Sequence, residues 1–107
     1  MSDKFENISV VKKSNVFFDG KCVSHSVLFA DGTRKTVGVI LPNSQLTFNV
    51  GTPEVMEITS GTCEVKIAGE PAFKTYTPGM QFSVAANSSF EIHAKDTVDY
   101  VCSFGSD

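Results

Sequence analysis

Hydrophobic and polar residues alternate along most of this chain. In "LTFNV" (46–50), Leu46, Phe48 and Val50 stand against Thr47 and Asn49. "CEVKI" (63–67) sets Cys63, Val65 and Ile67 against Glu64 and Lys66, and "MQFSV" (80–84) sets Met80, Phe82 and Val84 against Gln81 and Ser83. A period of two is that of a strand with one buried face. "FEIHA" (90–94) places Phe90 and Ile92 opposite Glu91 and His93. "VDYVCSF" (98–104) places Tyr100, Cys102 and Phe104 opposite Asp99 and Ser103, with Val101 as the exception.

Turn residues punctuate these segments: "FDGK" (18–21), "ADGT" (30–33), "LPNS" (41–44), "SGT" (60–62), "AGEP" (68–71), "TPGM" (77–80) and "ANSS" (86–89). Glycine supplies positive φ, and Pro, Asn and Asp favour bends. The two Asp-Gly pairs suit tight hairpin turns. No amphipathic helix of about ten residues or more interrupts the pattern. The pattern predicts an all-β domain of roughly eight to ten short antiparallel strands, a sandwich or barrel of jelly-roll type. "ISVVKK" (8–13) reads as a short strand or an N-terminal arm. The expected organisation is an arm over residues 1–14 and a single domain over 15–107.

Composition narrows the function classes. A chain of 107 residues suits one domain, and one this small often gains from pairing with a copy of itself. Nine basic residues scattered among twelve acidic ones form no basic stripe, so no nucleic-acid partner is expected. No N-terminal apolar run reads as a signal peptide, and no span is long enough to cross a bilayer. A cytoplasmic protein without a membrane partner is the expectation. Cys22, Cys63 and Cys102 are odd in number and form no C-x-x-C pair. They read as reduced, mostly buried thiols.

A histidine metal site needs imidazoles converging on one point, usually with a carboxylate. His25 and His93 both fall in strands, and there is no H-x-H pair. His93 shares the Glu91 face and is expected to point outward. His25 shares its face with Val23, Val27 and Phe29, which leaves an inward position open.

The segments "NVFFDGK", "DGTRKTVGVILP", "PEVMEITSG", "PGMQFSVAANSSF" and "DYVCSF" together resemble the small single-domain cupins known as pyrimidine/purine nucleoside phosphorylases. The resemblance runs from Asn15 to Phe104. It implies a cupin-type jelly-roll barrel, a homodimer, and phosphorolysis of purine and pyrimidine nucleosides to free base and pentose 1-phosphate. Inorganic phosphate is then a co-substrate. The H-x-H…E…G pattern of metal-binding cupins, counted back from Gly61, puts the glutamate on Glu54 and the histidines on Val50 and Phe48. The second motif, P-x-G-x-x-H, falls on "AANSSF" and puts Ala85, Asn87 and Phe90 at its proline, glycine and histidine positions. Glu54 alone survives of that ligand set, so no metal and no cofactor are expected.

Glycosyl transfer to phosphate calls for an anion site, negative charge near a cation-like sugar, and donors for the departing base. Glu54, on the face of Met56 and Ile58, is the expected catalytic carboxylate. Arg34, with Lys35 behind it and Thr36 following, is the expected phosphate site, since a guanidinium reads phosphate oxygens in pairs. Gly38 continues Arg34's face, while Lys21 and Ser24 are weaker candidates. Phe48, Met56, Tyr76, Phe90 and Tyr100 are expected around the nucleoside, the aromatic rings as stacking surfaces and Tyr76 as a hydrogen-bond donor. Two other readings remain open from sequence. One is a non-catalytic cupin that binds a small metabolite. The other is a metal-dependent cupin with Glu54 and His25 as ligands.

Overall fold

A computed structural model describes residues 3–105. Residues 1–2 of the expected arm and 106–107 of the expected domain lie outside the described residues. The chain runs through β1 (Ser9–Val10), β2 (Asn15–Phe17), a single 3-10 turn (Phe18–Gly20), β3 (Cys22–Leu28), β4 (Arg34–Ile40), β5 (Ser44–Val50) and β6 (Glu54–Ser60). It continues through β7 (Cys63–Ile67), β8 (Lys74–Tyr76), β9 (Gln81–Val84), β10 (Ser88–Ala94) and β11 (Val98–Phe104). Every pairing is antiparallel. The all-β jelly-roll expectation holds, with one strand more than the sequence pattern gives, because the two- and three-residue strands are too short to show a period.

Two sheets face each other. The larger has the order β1-β3-β4-β11-β6-β9, with β2 also paired to β3; the smaller has the order β5-β10-β7-β8. Alternation makes the sandwich. Ile40, Ile58, Val65, Phe90, Ile92 and Val98 point between the sheets and are buried. Burial of side chains of this size contributes about 1.5–3 kcal/mol each. The segment at 8–13 contributes β1, whose Ser9 and Val10 pair with Leu28 and Val27 on the edge of β3.

The larger sheet also carries apolar residues on its outer side. Val23, Val37 and Val101 are half-buried on its outer face and Val39 is exposed there. This accounts for Val101, the exception in the β11 pattern. It also corrects the inward option for His25. Val23 and Val27, its companions on β3, belong to the outer face, where the His25 ring nitrogen Nδ1 meets the Val11 carbonyl at 3.1 Å. A metal site built from Glu54 and His25 is therefore ruled out, since the two lie on opposite sides of the sheet. His93 lies outward as expected. It pairs with Glu91 and packs on Phe73 at 4.4 Å between ring centroids.

The Asp-Gly pairs both turn hairpins. Asp19 and Gly20 join β2 to β3 with left-handed backbone at Phe18, Asp19 and Gly20 (φ 52°, 55° and 92°). Between β3 and β4 the connection is longer than a tight turn, and Asp31 accepts hydrogen bonds from the Thr33 backbone and hydroxyl. Those two bonds hold the Asp31 carboxyl below its ordinary pKa.

Candidate functional site

β11 lies between β4 and β6, and its inward residues set the floor of a cleft. Cys102 pairs with Thr36 on one side and Met56 on the other; Phe104 pairs with Glu54. β4 therefore presents Arg34 and Thr36 along one wall, and β6 presents Glu54 and Met56 along the opposite wall. The two walls are two strand spacings apart, about 10 Å. The cleft has a volume of about 300 Å³, at the small end of ligand pockets. The smaller sheet closes it with Phe48, Asn49 and Phe90, and β2 and β3 add Asn15, Phe17 and Ser24.

Seven of the nine expected site residues line this one cleft: Arg34, Thr36, Phe48, Glu54, Met56, Phe90 and Tyr100. Lys35 and Tyr76 do not. Consecutive strand residues point to opposite faces, so Lys35 turns away from Arg34 and lies over the Phe5 and Phe29 rings of the outer face. Tyr76 sits on β8, at the far edge of the smaller sheet from Phe48, and packs on Phe82 at 5.0 Å. Lys21 is not among the lining residues, whereas Ser24 is.

The charges in the cleft are held differently. Arg34 is exposed, with its guanidinium 4.2 Å from the centre of the Phe104 ring. The ring fixes the plane of the fork and leaves its edge for a ligand. Glu54 is half-buried, and loss of water raises its carboxyl pKa. The Cys102 thiol beside it and the charge of Arg34 oppose that rise without cancelling it. Burial and the neighbouring Glu54 keep the Cys102 thiol strongly protonated, so it acts as a weak donor and not as a nucleophile.

Tyr100 closes the floor. It is 6% exposed, and its hydroxyl lies 3.4 Å from Cys22 Sγ. Burial pushes the phenol far above its ordinary pKa, so it stays neutral. Its ring occupies the space over Gly38, its partner on β4, where an added Cβ would come within 2.5 Å of Cζ. Phe48 and Phe90 stack on each other at 5.2 Å with 16° between their planes. They occupy two of the positions that hold histidine in the metal-binding cupin pattern, and the third, Val50, is buried in the core. Beside the single carboxylate of Glu54 the cleft offers a guanidinium, a protonated thiol, neutral amides and hydroxyls, and aromatic carbon, and no imidazole. That donor set does not fit a transition metal, and no group of three His, Cys, Asp or Glu side chains among the described residues converges on a point.

Sequence reasoning missed Asn15, Phe17, Asn49, Cys102 and Phe104. Phe104 and Cys102 were legible as inward residues of β11. Asn15 and Phe17 were not, because β2 is three residues long and its side chains reach the cleft through pairing with β3.

Residues 12–104 match the family model for pyrimidine/purine nucleoside phosphorylase. A protein of that name from Cupriavidus pinatubonensis is 62% identical over 102 residues, covering 95% of this chain and 96% of that one. A crystal structure of a protein of unknown function from Acinetobacter sp. ADP1 is 50% identical with a TM-score of 0.94, covering 97% of this chain and all of that one. A cupin superfamily protein from Desulfitobacterium hafniense, 11% identical, has a TM-score of 0.67 over 87% of this chain and 84% of that one, a likeness of fold alone.

Proposed function

The chain belongs to the pyrimidine/purine nucleoside phosphorylase family, and from that premise we propose how the cleft between β4 and β6 carries out phosphorolysis. The protein is a nucleoside phosphorylase, with nucleosides and inorganic phosphate as substrates. In the reaction a phosphate oxygen forms a bond to the anomeric carbon as the glycosidic C–N bond breaks. The electron pair of that bond leaves with the base, and pentose 1-phosphate remains.

The observation that supports this assignment is the placing of one cation and one carboxylate on opposite walls of a single cleft, with one strand between them. Arg34 and Thr36 bind phosphate: the guanidinium takes two oxygens and the hydroxyl a third. Glu54, about two strand spacings away, faces the sugar. Its carboxylate is poorly hydrated, so its charge acts strongly on the positive charge that develops at the anomeric carbon. Met56, Phe48, Phe90 and Tyr100 form the apolar walls that exclude water from the reacting carbon. No step calls for a metal or an organic cofactor.

The remaining partners follow from the surface. The strip of Val23, Val37, Val39 and Val101 on the outer face of the larger sheet is flanked by Lys4, Glu57 and Asp99. Apolar residues framed by both signs of charge suit a second copy of the chain, and the reading is a homodimer. Three unpaired, buried cysteines suit a reducing compartment, which favours the cytoplasm. No helix among the described residues is long and apolar enough to cross a membrane.

The test is release of free base from uridine, inosine and adenosine by the purified protein. Release that requires phosphate and persists after exhaustive chelation is expected. Absence of release from all three nucleosides, or loss of release with chelator, would reject the reading.

A further inference from the structure

The aromatic residues on the inner walls have their surfaces occupied. Phe48 is stacked on Phe90 and also makes T-shaped contacts with Phe17 and Phe18 at 6.5 and 5.1 Å between centroids. Phe90 meets Phe82 at 5.3 Å, and the Tyr100 ring covers Gly38. These rings pack on one another, and Phe90 and Tyr100 are almost fully buried, so they offer little face to a flat ligand. Phe17 is different. It lines the cleft yet is 44% exposed, and its contact with Phe48 is a long one, 6.5 Å between ring centroids.

Asn15 stands beside it on β2 and also lines the cleft. Its amide nitrogen donates to the Ser24 hydroxyl at 3.3 Å and the Ser26 hydroxyl at 3.4 Å. Serine hydroxyls donate as well as accept, so the amide keeps its partners whichever way round it stands. An amide that can present either a donor or an acceptor matches base edges of both polarities. Uracil and hypoxanthine place a carbonyl beside an N–H, whereas cytosine and adenine place an amino group beside a bare ring nitrogen. Behind the buried Ser24, which is 3% exposed, lies the Tyr100 phenol, whose hydroxyl meets Cys22 Sγ at 3.4 Å. Asn15 is thus anchored to a buried polar chain.

The segment carrying both residues is held by unusual backbone. Phe18 and Asp19 are left-handed without being glycine. Such conformations cost energy and persist where the surroundings impose them. Here they bring Phe18 back onto Phe48 and set β2 at the rim of the cleft.

We propose that the nucleobase binds at this rim, with its face on Phe17 and its polar edge on the Asn15 amide, and that these two residues set base preference. The proposal rests on the reading of the cleft as the phosphorolysis site. It puts the base over β2, the sugar by Glu54 and the phosphate by Arg34. The reversible amide gives one site the means to accept bases with a carbonyl beside an N–H and bases with an amino group beside a bare ring nitrogen.

The experiment is steady-state phosphorolysis of inosine and adenosine by Phe17→Leu, Phe17→Tyr, Asn15→Leu and Arg34→Ala, each first shown to melt cooperatively. Phe17→Leu is expected to raise nucleoside KM about tenfold or more for both substrates while leaving phosphate KM unchanged. Phe17→Tyr keeps the ring and restores nucleoside KM. Asn15→Leu shifts the inosine-to-adenosine ratio of kcat/KM by at least about threefold. Folded Phe17 and Asn15 variants with unchanged nucleoside KM and unchanged ratio would overturn the base assignment. If Arg34→Ala also leaves phosphate KM unchanged, the cleft assignment falls as well. If Arg34→Ala raises phosphate KM while the other variants are silent, the base assignment alone falls.

Discussion

Glu54 carries opposed demands. Burial raises its carboxyl pKa above the ordinary value, so folding favours the protonated acid over the anion. The sign for stability follows from linkage. A folded-state pKa above the unfolded one makes a favourable contribution at low pH that is lost as pH rises through the folded value. At neutral pH the ionised Glu54 therefore weakens the fold. Glu54→Gln is expected to raise Tm at pH 7, with the gain shrinking as pH falls through the carboxylate range in thermal melts. The same variant is expected to lower kcat by about a hundredfold or more, since it removes the charge that faces the sugar. A change that stabilises the protein and disables it marks a residue kept for chemistry. Much of this was legible in the sequence, because alternation put Glu54 on the face of Met56 and Ile58. Lys35 shows where residue-level reading fails. It is next to Arg34 in the chain, yet a strand sends neighbours to opposite faces, and charge alone does not say which one reaches the cleft.

Strand β11 organises the site. Its inward residues Tyr100, Cys102 and Phe104 touch both catalytic walls, and their positions depend on close pairing with β4 and β6. Gly38 is the tightest point of that pairing. Gly38→Ala would drive a methyl group into the Tyr100 ring, whose Cζ lies 2.5 Å from the added carbon. The ring would have to leave the floor of the cleft. A loss of about 1–3 kcal/mol in denaturant titration is expected, with phosphorolysis reduced as the floor shifts. Strands of five to seven residues such as β5, β7 and β10 were readable because their period is clear. β2 was not, and with it went Asn15 and Phe17: the rim of the cleft comes from a pairing that no local pattern announces. His25 was ambiguous for another physical reason. The outer face of the larger sheet is itself valine-rich, so alternation there looks the same whichever face points inward.

The whole molecule joins two sheets, one of them with a strip of valines on its outer side as well as an apolar inner face. If the outer valine strip is covered by a second copy, a charge placed in its centre should keep the copies apart. Val37→Asp is expected to turn a dimer into a monomer in sedimentation velocity. An unchanged dimer would put the contact elsewhere. The fold class was readable from periodicity because every long strand repeats the same signal. The cleft was readable only in part, since it lies where three non-consecutive strands meet.

Each sheet also contains its own buried sulfur. Cys22 and Cys102 lie in the larger sheet and Cys63 in the smaller, all unpaired. Burial raises the pKa of every one, and that of Cys63 to about 11. In the native protein all three should resist alkylation at neutral pH, because the thiolate is scarce and the sulfur is covered. They react when their strands open, so the rate at which each is labelled measures the opening of its own region. Mass spectrometry after timed exposure to iodoacetamide should then show whether the two halves of the sandwich come apart together or one before the other. The chain reports on its own unfolding through sulfurs it already carries.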